Sequence, residues 1–190
     1  MLNLFIDTST DFLILILEQK QKIIGQVHEN HTRRHTEATL PVIKQLLSAY
    51  QLKLKDINNF YLTTGPGSYT GVRIPMTIVK TIKVINPAIN VYTINTLLYQ
   101  AGLDNVVSML DARGGKRYFA VISNGTEVIP GQVLDYETCI EITKQFPGYE
   151  FRYNLQEIDF VQNYLVLKDH FKLVADIFAL EPQYLKKDWS

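Results

Sequence analysis

The stretch Asn59-Phe60-Tyr61-Leu62-Thr63-Thr64-Gly65-Pro66-Gly67-Ser68-Tyr69-Thr70-Gly71-Val72-Arg73 decides how the chain is to be read. Asn59 to Thr64 has the apolar and β-branched content of a strand, Gly65-Pro66-Gly67-Ser68 breaks it, and Thr70 to Ile85 carries a helical pattern that stops before Asn86-Pro87. A strand feeding a helix through a glycine-rich turn gathers free backbone N–H groups at the positive helix end, an arrangement that suits an anion. The block lacks the Lys-Ser/Thr pair of a P-loop and the spacing of a dinucleotide fingerprint. It reads equally as a tight turn capped by Ser68 or Thr70.

Upstream, Leu2 to Asp7, Phe12 to Glu18 and Lys22 to His28 form three successive strand patterns split by Thr8-Ser9-Thr10 and Gln19-Lys20-Gln21, which predicts a meander. Thr36 to Tyr50 is helical in period. Leu40, Ile43, Leu47 and Tyr50 share one face, Val42, Leu46 and Ala49 widen it, and Pro41 is placed in the first turn or so. Downstream come a fifth strand, Val91 to Asn95, and a short helix around Thr96 to Ala101. An antiparallel meander then extends a sheet whose other strands are joined by helical crossovers. Strand patterns resume at Val106 to Asp111, Tyr118 to Ser123 and Val128 to Leu134, followed by a helical stretch from Tyr136 to Gln145 and a last helix within Val161 to Leu180. A meander followed by helices, met twice, suggests duplication with a break near Gly102.

Composition narrows the function. The 190 residues hold 46% hydrophobic side chains, enough for one substantial domain or two small ones, and 19 Lys+Arg balance 19 Asp+Glu. A neutral chain lacks the long-range field that draws a protein to nucleic acid, so any nucleic acid involved is held by a partner. The start shows no signal peptide and no apolar run is long enough to span a bilayer; with Cys139 as the one cysteine, a cytoplasmic location is expected.

Three further segments bear on chemistry. Ile6-Asp7-Thr8-Ser9-Thr10 places a carboxylate and three hydroxyls in a turn, fit either for a phosphate or for capping a hairpin through its own side chains. His31-Thr32-Arg33-Arg34-His35 has two histidines at metal-ligand spacing but no third ligand, and its arginines repel a cation. Ser68 lacks a nucleophile elbow, and Cys139 reads as a plain semi-buried thiol. Arg113, Lys116 and Arg117 near Tyr118 form the densest basic group, and Lys186 and Lys187 beside Trp189 form a basic tail that reads as solvated. On the second helix, Val72, Met76, Val79 and Ile82 form one apolar stripe and Ile74, Ile78 and Ile85 another, more than one sheet-facing side buries. The excess predicts either a second internal layer or a partner-facing surface.

Ile6-Asp7-Thr8-Ser9-Thr10, Arg34-His35-Thr36-Glu37 leading to Leu40-Pro41, Gly65-Pro66-Gly67-Ser68-Tyr69-Thr70-Gly71-Val72-Arg73, Asp111-Ala112-Arg113 before Tyr118, and Glu181-Pro182-Gln183-Tyr184-Leu185 together resemble the bacterial TsaB (YeaZ) family. The resemblance implies an α/β actin-like/sugar kinase/Hsp70-like (ASKHA) fold with two related lobes, mixed sheets flanked by helices, divided as residues 1–102 and a smaller, reduced lobe of 103–190. It implies a non-catalytic subunit that pairs with a TsaD-like catalytic subunit and a TsaE-like ATPase, or with itself as a homodimer, for transfer of threonylcarbamoyl to tRNA. The pairing surface is expected on the first two helices, at Leu40, Ile43, Leu47, Val72, Arg73, Met76, Val79 and Ile82. Asp7, Thr8, Ser9, Thr10, Gly65, Gly67, Ser68 and Gly71 are then a degenerate phosphate loop, with no metal, no cofactor and no membrane. The paired-histidine metal motif of the catalytic relative is missing, and Pro75 departs from the small-residue helix usual after the glycine block. The competing reading is an ATP-dependent phosphotransferase or a glycoprotease-like peptidase.

Overall fold

A computed structural model describes residues 1–30 and 34–185. Its first sheet has the order β10-β5-β4-β1-β2-β3. β1 (Leu2–Asp7), β2 (Phe12–Gln19) and β3 (Lys22–Asn30) are the antiparallel meander, while β4 (Asn59–Thr63) and β5 (Asn90–Ile94) join β1 in parallel. Parallel pairing requires a crossover, and α1 (His35–Ala49) and α2 (Arg73–Ile85) supply it.

β2 shows why the sequence folds this way. Leu13, Ile14, Leu15, Ile16 and Leu17 are all fully buried, a run without polar alternation because both faces of the strand are covered. Leu13, Leu15 and Leu17 meet Ile43, Leu46 and Leu47 of α1 and Met76 and Val79 of α2 on one face. Ile14 and Ile16 meet Phe5, Tyr61, Tyr99, Tyr164 and Phe171 on the other.

A second sheet, ordered β8-β7-β6-β9, repeats the first sheet's 3-2-1-4 arrangement. β6 (Val106–Asp111), β7 (Lys116–Ser123) and β8 (Thr126–Asp135) form a second antiparallel meander, and β9 (Glu150–Tyr153) lies parallel to β6. The helix α4 (Tyr136–Thr143) covers one face and buries Cys139 completely, deeper than the semi-buried thiol expected; burial pushes that thiol up. Two related sheets with helices against them make the ASKHA fold that the sequence resemblance implies.

Between the sheets lies α3 (Thr96–Ala101), capped by Asn95, whose Oδ1 accepts from the Leu97 and Leu98 N–H groups at 2.7 and 3.2 Å. Tyr99 packs into the first sheet's rear cluster, and Leu97 and Ala101 into the second sheet's. Gln100 is fully buried and satisfied: its Nε2 donates to Ser108 Oγ at 2.8 Å and to the carbonyls of Met109 and Arg152, and its Oε1 accepts from Leu155 N.

The C-terminal quarter departs from expectation. The helix predicted within Val161 to Leu180 is short, α5 (Phe160–Val166), and is followed by a 3₁₀ turn and by β10 (Lys172–Leu173). Lys172 and Leu173 pair antiparallel with Thr93 and Tyr92, adding an edge strand to the first sheet. The rear face of that sheet needs a cover, and Tyr164, Leu167 and Phe171 provide it. β9, to which the sequence pattern assigns no element, gains its strand from pairing with β6, a long-range contact with no local signature. Pro41 stands well inside α1 and not in its first turn, and α2 begins at Arg73 and not Thr70.

Candidate functional site

The β1–β2 turn and the β4–α2 loop lock onto each other. Thr8 Oγ1 donates to the Gly71 carbonyl at 2.7 Å, and Ser68 N–H donates to the Ser9 carbonyl at 2.7 Å. The glycines exist to permit this approach. A Cβ on Gly71 would sit 1.9 Å from the Thr8 carbonyl oxygen, and one on Gly67 would sit 2.3 Å from that of Ser9. Gly65 has φ +96° and precedes a cis peptide to Pro66, and its carbonyl accepts from Thr96 N at 2.8 Å.

Asp7 is fully buried at the end of β1. Ser9 Oγ donates to its Oδ2 at 2.9 Å, Ser9 N–H donates to Oδ1 at 3.1 Å, and Thr63 Oγ1 also donates to Oδ2. Burial pushes the carboxyl above its ordinary value, and the Thr63 and Ser9 donors offset part of that rise. Thr10 Oγ1 accepts from Phe12 N at 3.3 Å, and the Thr10 carbonyl lies 2.8 Å from His35 Nε2. The two predicted phosphate segments therefore do come together, but most of their polar groups are spent on each other.

Beside them opens a cleft of about 340 Å³. Ser9, Thr10, Asp11, His35, Thr36, Gly67, Ser68, Thr70 and Gly71 line it from the first sheet, and Leu110, Asp111, Arg113 and Asn154 from the second. Asp111 is held in place: its N–H donates to Asn154 Oδ1 at 2.7 Å, and its Oδ1 accepts from Arg113 N at 3.0 Å. Of the basic group read in the sequence, Arg113 lines the cleft while Arg117 turns away, 3.4 Å from Asp111 Oδ1 and facing the rings of Tyr136 and Tyr153. Thr63 and Asn154 were not legible as site residues, since only the fold brings them to Asp7 and Asp111, whereas His35, singled out in the sequence as one of a histidine pair, reaches the Thr10 carbonyl. The histidine pair cannot be assessed, because His31 lies outside the described residues, as do Lys186, Lys187 and Trp189. Among the described residues no group of three His, Cys, Asp or Glu could hold a metal, and no helix is long and apolar enough to cross a membrane.

The expected pairing surface divides. Ile43, Leu47, Val72, Met76 and Val79 are buried within the chain itself, since the sheet covers the stripe they share, so Met76 and Val79 do not face a partner. Leu40 is exposed, Ile82 is half-buried, and Val84 and Ile85 stand 65% and 80% exposed on the last turn of α2. Arg73 lies 3.5 Å over the Tyr69 ring, with the Tyr184 ring at 5.3 Å on the C-terminal segment.

Comparison with known proteins agrees with this architecture. The sequence model of the family described as "TsaD: tRNA N6-adenosine threonylcarbamoyltransferase" matches residues 14–148. An uncharacterized protein MG208 of Mycoplasma genitalium is 29% identical over 97% of this chain and 94% of its own length. The tRNA threonylcarbamoyladenosine biosynthesis protein TsaB of Bacillus subtilis is 27% identical over 96% of this chain and 93% of its own. The solved structure of YeaZ from Pseudomonas aeruginosa superposes with a TM-score of 0.71 at 19% identity, covering 97% of this chain and 99% of that one. With its two 3-2-1-4 sheets and its interlocked glycine loop, the chain belongs to the TsaD family of tRNA N6-adenosine threonylcarbamoyltransferases, on its TsaB (YeaZ) branch.

Proposed function

We propose that the chain acts in the biosynthesis of tRNA threonylcarbamoyladenosine as a non-catalytic subunit. In this reading it pairs with a TsaD-like catalytic subunit and a TsaE-like ATPase in the cytoplasm, or with itself when alone, and reaches tRNA through the complex. The partner transfers threonylcarbamoyl from threonylcarbamoyl-adenylate to N6 of the adenosine next to the anticodon. One observation carries the reading: both Asp7 oxygens and the hydroxyls of Thr8 and Ser9 are consumed inside the chain. A carboxyl group so enclosed is fully buried and turned to donors of its own chain, and the loops serve as a structural clasp. The neutral net charge and the named relative are consistent with a role that leaves tRNA contact to another subunit.

The exposed apolar residues Leu40, Val84 and Ile85, with half-buried Ile82, supply the proposed pairing surface. The test is light scattering on the chain alone and mixed with the TsaD-like protein of the same organism, with tRNA modification assayed on the same fractions. A complex that modifies tRNA when given the adenylate, with no activity from the chain alone, is expected. Failure to form any complex, together with ATP or peptide hydrolysis by the isolated chain, would sink the subunit reading. The cleft lined by Thr10, Ser68 and Arg113 is the one feature favouring a phosphotransferase, and ATP turnover lost on Arg113→Ala would move the assignment there.

A further inference from the structure

On the rear face of the first sheet, at the end away from the cleft, four residues in register on four strands form a polar ladder. Asn90 Nδ2 donates to Asn59 Oδ1 at 3.0 Å, Asn59 Nδ2 to Asn3 Oδ1 at 2.8 Å, and Asn3 Nδ2 to Glu18 Oε2 at 2.9 Å. Asparagine is a poor strand former, so three of them side by side cost the sheet stability that apolar residues would supply. The ladder ends on a carboxylate that is 4% exposed. Glu18 Oε2 also accepts from Tyr164 Oη at 2.6 Å and from Lys168 Nζ at 2.5 Å. Burial works against the charged carboxylate, but these donors outweigh it and hold the Glu18 carboxyl below its ordinary value.

All three donors converge on Oε2. Oε1 accepts no hydrogen bond among the described residues and opens on a cavity of about 850 Å³ that Glu18 lines together with Asn3, Asn59, Tyr61, Tyr92 and Lys20. Oε1 is not among the buried oxygens cut off from a partner: it is reached from the cavity, where water or a ligand can supply its donor. The internal network uses Oε2 and leaves Oε1 available to a donor in the cavity.

The cavity also states what the donor belongs to. Tyr61 and Tyr92 stack at 4.8 Å and 11°, and Lys168 caps the Tyr61 ring at 4.2 Å, so the remaining ring face is that of Tyr92. Asn59 Nδ2 donates to Asn3 Oδ1 and to Met1 Sδ, whereas Asn3 keeps a further N–H beside the carboxylate, so a donor and an acceptor position lie next to each other. With Lys168 and Lys20 both on the lining, a cation is disfavoured and an anionic tail is favoured. We propose that this cavity is a binding site for a mononucleotide whose base carries an exocyclic amine next to a ring nitrogen, as adenine and cytosine do. The amine donates to Glu18 Oε1, the ring nitrogen accepts from an asparagine, the base lies on Tyr92, and the phosphate faces Lys20.

The site is separate from the clasp at Asp7 and does not depend on the subunit reading. The test is calorimetry and saturation-transfer NMR on the full chain with AMP, UMP, adenosine and inorganic phosphate. AMP is expected to bind saturably and more tightly than UMP, which lacks the amine, with affinity reduced about tenfold or more in Tyr92→Ala. Lys20→Glu is expected to weaken AMP and leave adenosine unchanged. Glu18→Gln is expected to reduce the preference for AMP over UMP; should that variant not fold, the half-exposed Tyr92 and exposed Lys20 positions still decide the matter. Absence of saturable binding at millimolar AMP, phosphate alone binding as well as AMP, or AMP binding that survives Tyr92→Ala but is lost on Arg113→Ala at the other cleft would each overturn the proposal.

Discussion

Burial raises the Asp7 pKa above its unfolded value, with the Thr63 and Ser9 donors opposing the rise. Between those two values the native state binds more protons than the unfolded one, so stability falls as pH rises from about 4 through the folded pKa. Asp7→Asn keeps an acceptor for Thr63 and removes the charge. It is expected to melt above the parent at pH 7, with the gain shrinking toward pH 4, as followed by thermal denaturation across pH. A gain independent of pH would mean that burial of the charge is not the cause. Gly71→Ala drives a methyl into the Thr8 carbonyl and is expected to cost about 3 kcal/mol in a urea titration. At this scale the sequence was half legible. Asp7 and the glycines stood out by residue type and turn position, whereas Thr63 gave no signal because it lies far from Asp7 in the chain and looks like any strand threonine.

The helix α2 illustrates what can be read of an element and what cannot. Its two apolar stripes were visible in the spacing, but spacing does not say which stripe the sheet takes. The structure gives Met76 and Val79 to the core and leaves Val84 and Ile85 in solvent. Val79→Asp is therefore expected to lose about 4 kcal/mol or unfold, by circular dichroism and denaturant titration, without any partner present. Ile85→Asp is expected to keep the parent melting temperature and to lose pairing in light scattering; retained pairing would remove α2 from the proposed interface. The elements missed, β9 and β10, are short strands whose formation depends on a neighbour already being in place. Helical periodicity in Val161 to Leu180 was a fair local signal that the pairing of Lys172 and Leu173 with β5 overrides.

The whole molecule is tied together by its last quarter. Tyr164 and Phe171 pack on Phe5 at ring distances of 5.5 and 6.1 Å, and the Gln183 N–H donates to the Thr64 carbonyl at 2.8 Å beside the glycine loop. Phe171→Ala is expected to cost about 3 kcal/mol in a single cooperative transition. A biphasic melt would show that the sheets unfold independently and that the C-terminal segment does not couple them. The duplicated order of strands was readable from the sequence as two meanders, but not this return to the first sheet, which no local pattern records.

That return sets an order of events at the ribosome. β1 is made before its front helices, and of the residues that close its rear face Tyr99 comes next while Tyr164, Leu167 and Phe171 are translated well after all of them. Phe5, Ile14, Ile16 and Tyr61 thus wait, only partly covered, until that segment is made, seconds to tens of seconds at roughly 5–20 residues per second. The nascent chain presents an apolar sheet face for that whole interval, a natural client surface for a holding chaperone, and arrival of the Tyr164 to Phe171 segment is the event that ends the need for one.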